Sequence, residues 1–213
     1  MANPSLQIGN SNWAIKEDNL LGYSTAGTRF VPQPITMTRA SAGTRVNSSG
    51  LVETVELLGS EEVTNGDFAT DSDWTKTQAT ISGGEAIIVT TGSYAGVLQS
   101  NVTVSGKTYK YSLDIKSISG NLALIIGGVT NIFTTIGTKT GYITATGEYL
   151  EIKRGGGVLN ATITNISVKE STKNNLARVD YDGTASSLLV EPERTNLITY
   201  SNNFTDSSWT KLG

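Results

Sequence analysis

The chain has 213 residues, 37% of them apolar and only 16% charged, with a formal net charge of −3 and neither cysteine nor histidine. Without cysteine there is no disulfide, thiolate metal site or cysteine nucleophile; without histidine the commonest general acid–base and the commonest catalytic zinc ligand are gone. The acidic balance offers no basic stripe for phosphates, so no nucleic-acid partner is expected, and no apolar run nears the roughly 20 residues of a membrane helix.

Length allows two modest domains or one domain with a large insertion, since domains usually run to roughly 100–150 residues. Twenty-three glycines amid abundant Ser, Thr and Asn disfavour helices, because these residues compete for backbone hydrogen bonds or lose most entropy on ordering. Strands joined by tight turns are expected. Met1 to Ser5 lacks a basic start, so neither a signal peptide nor membrane insertion is expected.

Residues 1–34 scatter Trp13, Ile15, Leu20, Leu21 and Tyr23 among polar residues without a sustained period, and prolines fall at 4, 32 and 34. This reads as an extended or irregular arm. Its apolar residues are too many for open solvent and too few for a core, so they form an assembly and anchor surface that packs on another chain or on the body. Residues 35–57 follow, with a β-hairpin turning on Ser48–Gly50. Its phrase Arg45-Val-Asn47, then Gly50-Leu-Val-Glu53, returns as Arg178-Val-Asp180, then Leu188-Leu-Val-Glu191, within residues 175–200. The two look like flanks around an insertion, bounded by polar linkers at Leu58–Glu62 and Lys169–Asn175.

The insertion spans residues 58–174. Tyr109, Tyr111, Leu113 and Ile115 alternate with Lys110, Ser112, Asp114 and Lys116, and Leu150 and Ile152 with Glu151 and Lys153, the period of half-buried strands. Further strands are expected at 86–90, 97–104, 122–126, 141–144 and 161–168. Turn chemistry separates them at Gly83-Gly84, Gly127-Gly128 and Gly155–Gly157, the last read as a loose hairpin turn. Short strands at this spacing predict an all-β fold: an antiparallel β-sandwich, or jelly roll, set between flanking β-hairpins and preceded by the arm. Leu113, Ile115, Leu124, Ile152 and Val168 should point inward. Residues 201–213 begin a further module, since Thr64–Lys76 is echoed by Tyr200–Lys211, and the chain reads as the N-terminal part of a longer protein.

Two resemblances rest on these residues. Asn65-Gly-Asp-Phe68 with Trp74, Val102–Leu113 and Ala161–Val168 resemble a jelly roll of the carbohydrate-binding-module type. That family often holds a structural calcium with an Asp on its last strand; Asn165 stands there, so no cofactor is expected and calcium is the weaker alternative. Gly9–Tyr23, Thr38–Glu53 and Leu188–Ser201 resemble bacteriophage tail-fibre and other virion structural proteins. This second resemblance implies a non-enzymatic virion component, made in the host cytoplasm: the virion-proximal part of a fibre or spike, trimeric, touching other virion proteins. It leaves two alternatives, a dedicated glycan-binding adhesin module and a head fibre or capsid decoration protein.

For bacterial surface glycan, Tyr94 and Tyr142 are the candidate stacking platforms, each set among small polar residues, with a half-buried tyrosine as the bland alternative. Trp74 is expected in the core. Asp67, Asp71 and Asp73 lack the glycine and closing glutamate of a calcium loop, so no metal site is assigned. Glu61-Glu62 and Glu191/Glu193 are the nearest paired carboxylates, but adjacent linker residues seldom flank a bond as glycoside hydrolysis requires, and no catalytic residue is assigned.

Overall fold

The computed structural model describes residues 42–90, 94–181 and 210 in full and, as backbone only, strand residues 13–16, 19–23, 30–36, 182 and 185–188. Every strand pairing is antiparallel, and no helix occurs among the described residues. Tyr200–Lys211, apart from Thr210, lies outside them, as do Glu191, Glu193 and the side chains of Trp13, Ile15, Leu20, Leu21 and Tyr23.

The expectation of an irregular arm is corrected: β1 (Trp13–Lys16), β2 (Asn19–Tyr23) and β3 (Phe30–Thr36) form a sheet in that order. Trp13 pairs with Gly22, Ile15 with Leu20 and Tyr23 with Phe30. Pro32 and Pro34 fall on β3, an edge strand, where a missing N–H need not break a ladder. The hairpin of β4 (Thr44–Val46) and β5 (Val52–Thr54) turns through Gly50 at φ 77°. Asn47 closes that turn, its Oδ1 accepting the Ser49 and Leu51 N–H groups, each at 3.0 Å.

The middle of the chain builds two facing sheets from β6 (Leu57–Glu61), β7 (Thr75–Thr77), β8 (Ala79–Ser82), β9 (Glu85–Val89), β10 (Gly96–Gln99), β11 (Thr108–Ser119), β12 (Leu122–Ile126), β13 (Val129–Phe133), β14 (Gly137–Thr144), β15 (Leu150–Arg154) and β16 (Asn160–Thr172). The first sheet runs β13-β12-β15-β10-β7; the second runs β14-β11-β16-β9-β8, with β6 also paired to β16. From β9 to β16 every connection crosses between the sheets except the β12–β13 hairpin. The Gly155–Gly157 turn, expected as a hairpin, is therefore one of these crossings. Last come β17 (Val179–Asp182) and β18 (Ala185–Leu188), a second two-stranded hairpin.

One apolar core joins the sheets, with Leu113, Ile115, Leu124, Ile152 and Val168 all inward and buried, as their alternation requires. The predicted strand 97–104 stops at Gln99, because Asn101 takes a left-handed φ of 60°. The two polar stretches expected to be linkers instead pair with each other: Lys169 lies opposite Glu61, Ser171 opposite Leu58 and Thr172 opposite Leu57. Charge and glycine hid them, since no residue of β6 is buried.

The opening loop is pinned to the sandwich. Phe68 is fully buried, and its ring lies 5.3 Å from that of Trp74, whose indole N–H donates to the Asn65 carbonyl at 3.1 Å. The Asn65 amide donates to the Thr70 and Ser72 carbonyls, and the Gln99 amide donates to those of Thr64 and Asp73. Gly66 accepts the Ile166 N–H at 2.9 Å, and a Cβ there would stand 2.2 Å from the Ile166 carbonyl oxygen. Trp74→Ala should therefore remove both a core ring and this loop's support, costing about 3–5 kcal/mol in denaturant unfolding. Loss below 1 kcal/mol, about the cost at an exposed position, would place the ring outside the core.

Candidate functional site

The two tyrosines singled out as stacking platforms stand on opposite outer faces of the sandwich. Tyr94 reaches over the first sheet. Its phenol donates to Glu151 Oε1 at 2.5 Å, and Glu151 alternates with the core residues Leu150 and Ile152, so its carboxylate lies on the outer side. Lys153, two residues on, pairs with Glu151 at 2.8 Å and holds its ammonium 5.7 Å from the Tyr94 ring centroid. Burial, then the hydrogen bond and charge of Glu151, push the Tyr94 phenol above the ordinary tyrosine range, so it stays a neutral donor.

The backbone approaches closely here. Gly96 lies opposite Lys153, and a Cβ there would come within 2.6 Å of the Ile152 carbonyl oxygen. On the same outer rows sit Ala123, Ile125 and Leu98, opposite Lys153 or Glu151 by register. The result is a partly exposed ring, its hydroxyl fixed by a carboxylate, beside one cation, with Ala123 and Ile125 buried beneath the surface of this face. Such a group can stack on the C–H face of a sugar while the neighbouring charges take hydroxyl hydrogen bonds.

Tyr142 lies on the outer face of the second sheet, opposite Lys110. Its phenol and the Glu56 carboxylate are 3.2 Å apart; Glu56 also accepts from Ser171 at 2.7 Å and from Lys110 at 3.0 Å. The Lys173 ammonium sits 3.3 Å from the Tyr142 ring centroid, and that of Lys110 5.6 Å away. One ring face is thus taken by a cation. Glu56 precedes β6 and Lys173 follows β16, so this cluster ties together the two points where the chain enters and leaves the sandwich. Burial pushes the Glu56 carboxyl upward, but the Ser171, Lys110 and Tyr142 hydrogen bonds outweigh it and hold the group below the ordinary glutamate range.

Beyond this neck the flanking hairpins touch. Asp180 accepts the Val46 N–H, Arg178 donates to the Thr44 carbonyl at 3.4 Å, and the Arg45 guanidinium lies 5.9 Å from the Tyr181 ring centroid. Val55, Leu176, Ala177 and Val179 are buried outside the sandwich core.

The remaining sequence candidates have local partners. Asp67 accepts the Ala69 N–H at 3.3 Å, Asp71 pairs with Lys76, and Asp73 accepts from Ser72 at 2.5 Å. Asn165, at φ 51° in a β16 bulge, donates to Asp114 at 3.1 Å. Among the described residues no three acidic side chains converge as a metal site. Glu61 accepts the Val168 N–H at 2.7 Å and the Ser167 hydroxyl at 2.5 Å, which makes it a structural clamp on β16. A shallow depression of about 190 Å³ beside it is floored by Lys110, Ser112, Ser167 and Lys169.

Sequence reasoning did not single out Glu56, Glu151, Lys153 or Lys173. Glu151 and Lys153 sat at strand positions expected to face solvent, and Glu56 meets Tyr142 across 86 residues, with no local signal. No protein-family model matches the chain, and no curated protein matches it either.

Because the folded Glu56 carboxyl is more acidic than in the unfolded chain, its stabilisation is present above the ordinary glutamate range and is lost as pH falls through the folded value. Glu56→Gln should cost about 1–3 kcal/mol at neutral pH and flatten the acid limb of stability measured by thermal melts. Parallel acid limbs in both proteins would deny Glu56 this role.

Proposed function

We propose that the chain is a structural component of a bacteriophage particle, the virion-proximal part of a fibre or spike. In this reading the flanks seat on other virion proteins, with Trp13, Ile15, Leu20, Leu21 and Tyr23 in the contact and three copies side by side. The sandwich is a non-enzymatic knob held off the stem. The neck carries the proposal: β6 runs beside the end of β16, so the chain enters and leaves the sandwich at one point, while the hairpins before and after it touch. An insertion into a continuous stem needs that geometry. The likeness of Gly9–Tyr23, Thr38–Glu53 and Leu188–Ser201 to virion structural proteins supplies the particle.

In the same proposal the sandwich is a jelly roll. Eight strands from β9 to β16, crossing between the sheets at every connection but the β12–β13 hairpin, lie in the orders β14-β11-β16-β9 and β13-β12-β15-β10, which supports two Greek keys wound together. A second role is favoured by one observation, the exposed Tyr94 ring with its hydroxyl anchored on Glu151. The first sheet's outer face would then hold host surface glycan, with Tyr94 as the platform; Tyr142, capped by Lys173, serves the neck first.

On purified particles, a chain lacking residues 58–174 should still be incorporated and one lacking residues 1–34 should not. Tyr94→Ala should lower adsorption to host cells and leave incorporation unchanged. Particles that retain the arm-deleted chain would remove the anchoring role. Unchanged adsorption by the Tyr94 variant would leave the sandwich as a spacer.

A further inference from the structure

Among the described residues, β7 and β13 in the first sheet and β6, β8 and β14 in the second have a hydrogen-bonded neighbour on one side only. Such edges offer a row of backbone donors and acceptors to which another chain can add a strand. β7 and β8 are short, three and four residues, and the left-handed Gln78, φ 46°, turns the chain from one to the other. β13 and β14 are longer, five and eight residues, and consecutive. They form the long open side of the sandwich.

On that side the inward register carries polar groups. Asn131 pairs with Leu124 and Lys139 with Leu113, and both leucines are fully buried, so Asn131 and Lys139 project from the core side of their strands. The Lys139 ammonium turns back to Thr135 Oγ1 at 2.8 Å and the Ile136 carbonyl at 3.0 Å. Asn131 has no such escape: its Nδ2 is buried with no hydrogen-bond partner. β7 repeats the pattern, with Lys76 opposite the core residue Val97 and its ammonium held by Asp71. A buried orphan amide lowers stability. Its presence on an edge strand calls for a benefit outside the folded monomer.

We propose that Asn131 and Lys139 guard the open side of the sandwich against strand addition by a second copy of this chain, so that the sandwich stays single while copies assemble through other segments. A strand laid against β13 or β14 would extend the inner layer beyond these residues and would have to cover the Lys139 ammonium and the part of Asn131 that still meets water, which is costly without new partners. With apolar side chains there, β13 would present Val129, residue 131 and Phe133 as a continuous apolar row. The proposal concerns the purified chain and does not depend on a particle.

The test compares the full-length chain with Asn131→Val, Lys139→Val and the double variant, by light scattering over rising concentration and by thermal melts. Thr140→Val, at the outward register of the same edge strand opposite Ser112, is the control. Asn131→Val should raise the melting midpoint and yet lower the concentration at which copies associate, by about tenfold. The double variant should go further, and Thr140→Val should do neither. Hydrogen exchange in the associated species should show new protection in the β13 and β14 amides. A double variant that melts at or above the wild type and keeps its oligomeric state would overturn the proposal, as would new protection confined elsewhere. If Lys139→Val does not fold, Asn131→Val decides alone: earlier association with a higher midpoint supports the guard, and unchanged association refutes it.

Discussion

A strand of thirteen residues such as β16 offers a row of backbone donors and acceptors on each side, and burial makes every unpaired member costly. One side is met by β11 along nearly its whole length. The other is met piecewise. β9 covers Asn160–Ile163, the Gly66 carbonyl takes the Ile166 N–H, and Glu61 and the backbone of Glu62 take the two polar groups of Val168. β6 then covers Lys169–Thr172. Three segments distant in sequence thus converge on one strand. The bulge at Asn165 makes this possible, because it aims the Ile166 N–H at the opening loop while Ile163, Ile166 and Val168 all stay in the core.

That convergence explains what could be read from the residues and what could not. Alternation at Tyr109–Lys116 and Leu150–Lys153 identified the central strands and their inward faces, because those strands are covered on one side by the core. β7, with the sequence Thr-Lys-Thr, has no apolar residue to alternate, and β13 interrupts its inner row with Asn131. Neither was visible. β6 looked like a linker because its role is to complete a ladder, which leaves no mark on side-chain pattern. The tyrosines were found by their small neighbours, but their partners come from other strands, and only the fold reveals that Tyr94 and Tyr142 face away from each other.

Polar side chains in this protein repeatedly do the work of missing backbone partners. Asn47 closes a turn, Asn65 and Gln99 hold the opening loop, and Glu61 supplies acceptors where β6 ends. Each is amide or carboxylate, reaching main-chain N–H or C=O groups that no strand serves. This is how a chain with few charges and many glycines supports long irregular connections around a compact core. It also accounts for the abundance of Asn at left-handed positions, Asn65, Asn101, Asn165 and Asn175, where its short side chain tolerates the conformation.

The neck has a mechanical meaning. Leu57 and Thr172 are the first pair of the β6–β16 ladder and also the points where the chain leaves the sandwich. Tension along the chain would therefore pull this ladder open from its end, one pair at a time, a peeling geometry that yields at lower force than sliding strands past each other. Ahead of that ladder stand the Glu56 cluster and the Val46–Asp180 contact between the hairpins, which bear load first. A chain built this way would yield first at the neck, with the sandwich core out of the line of force.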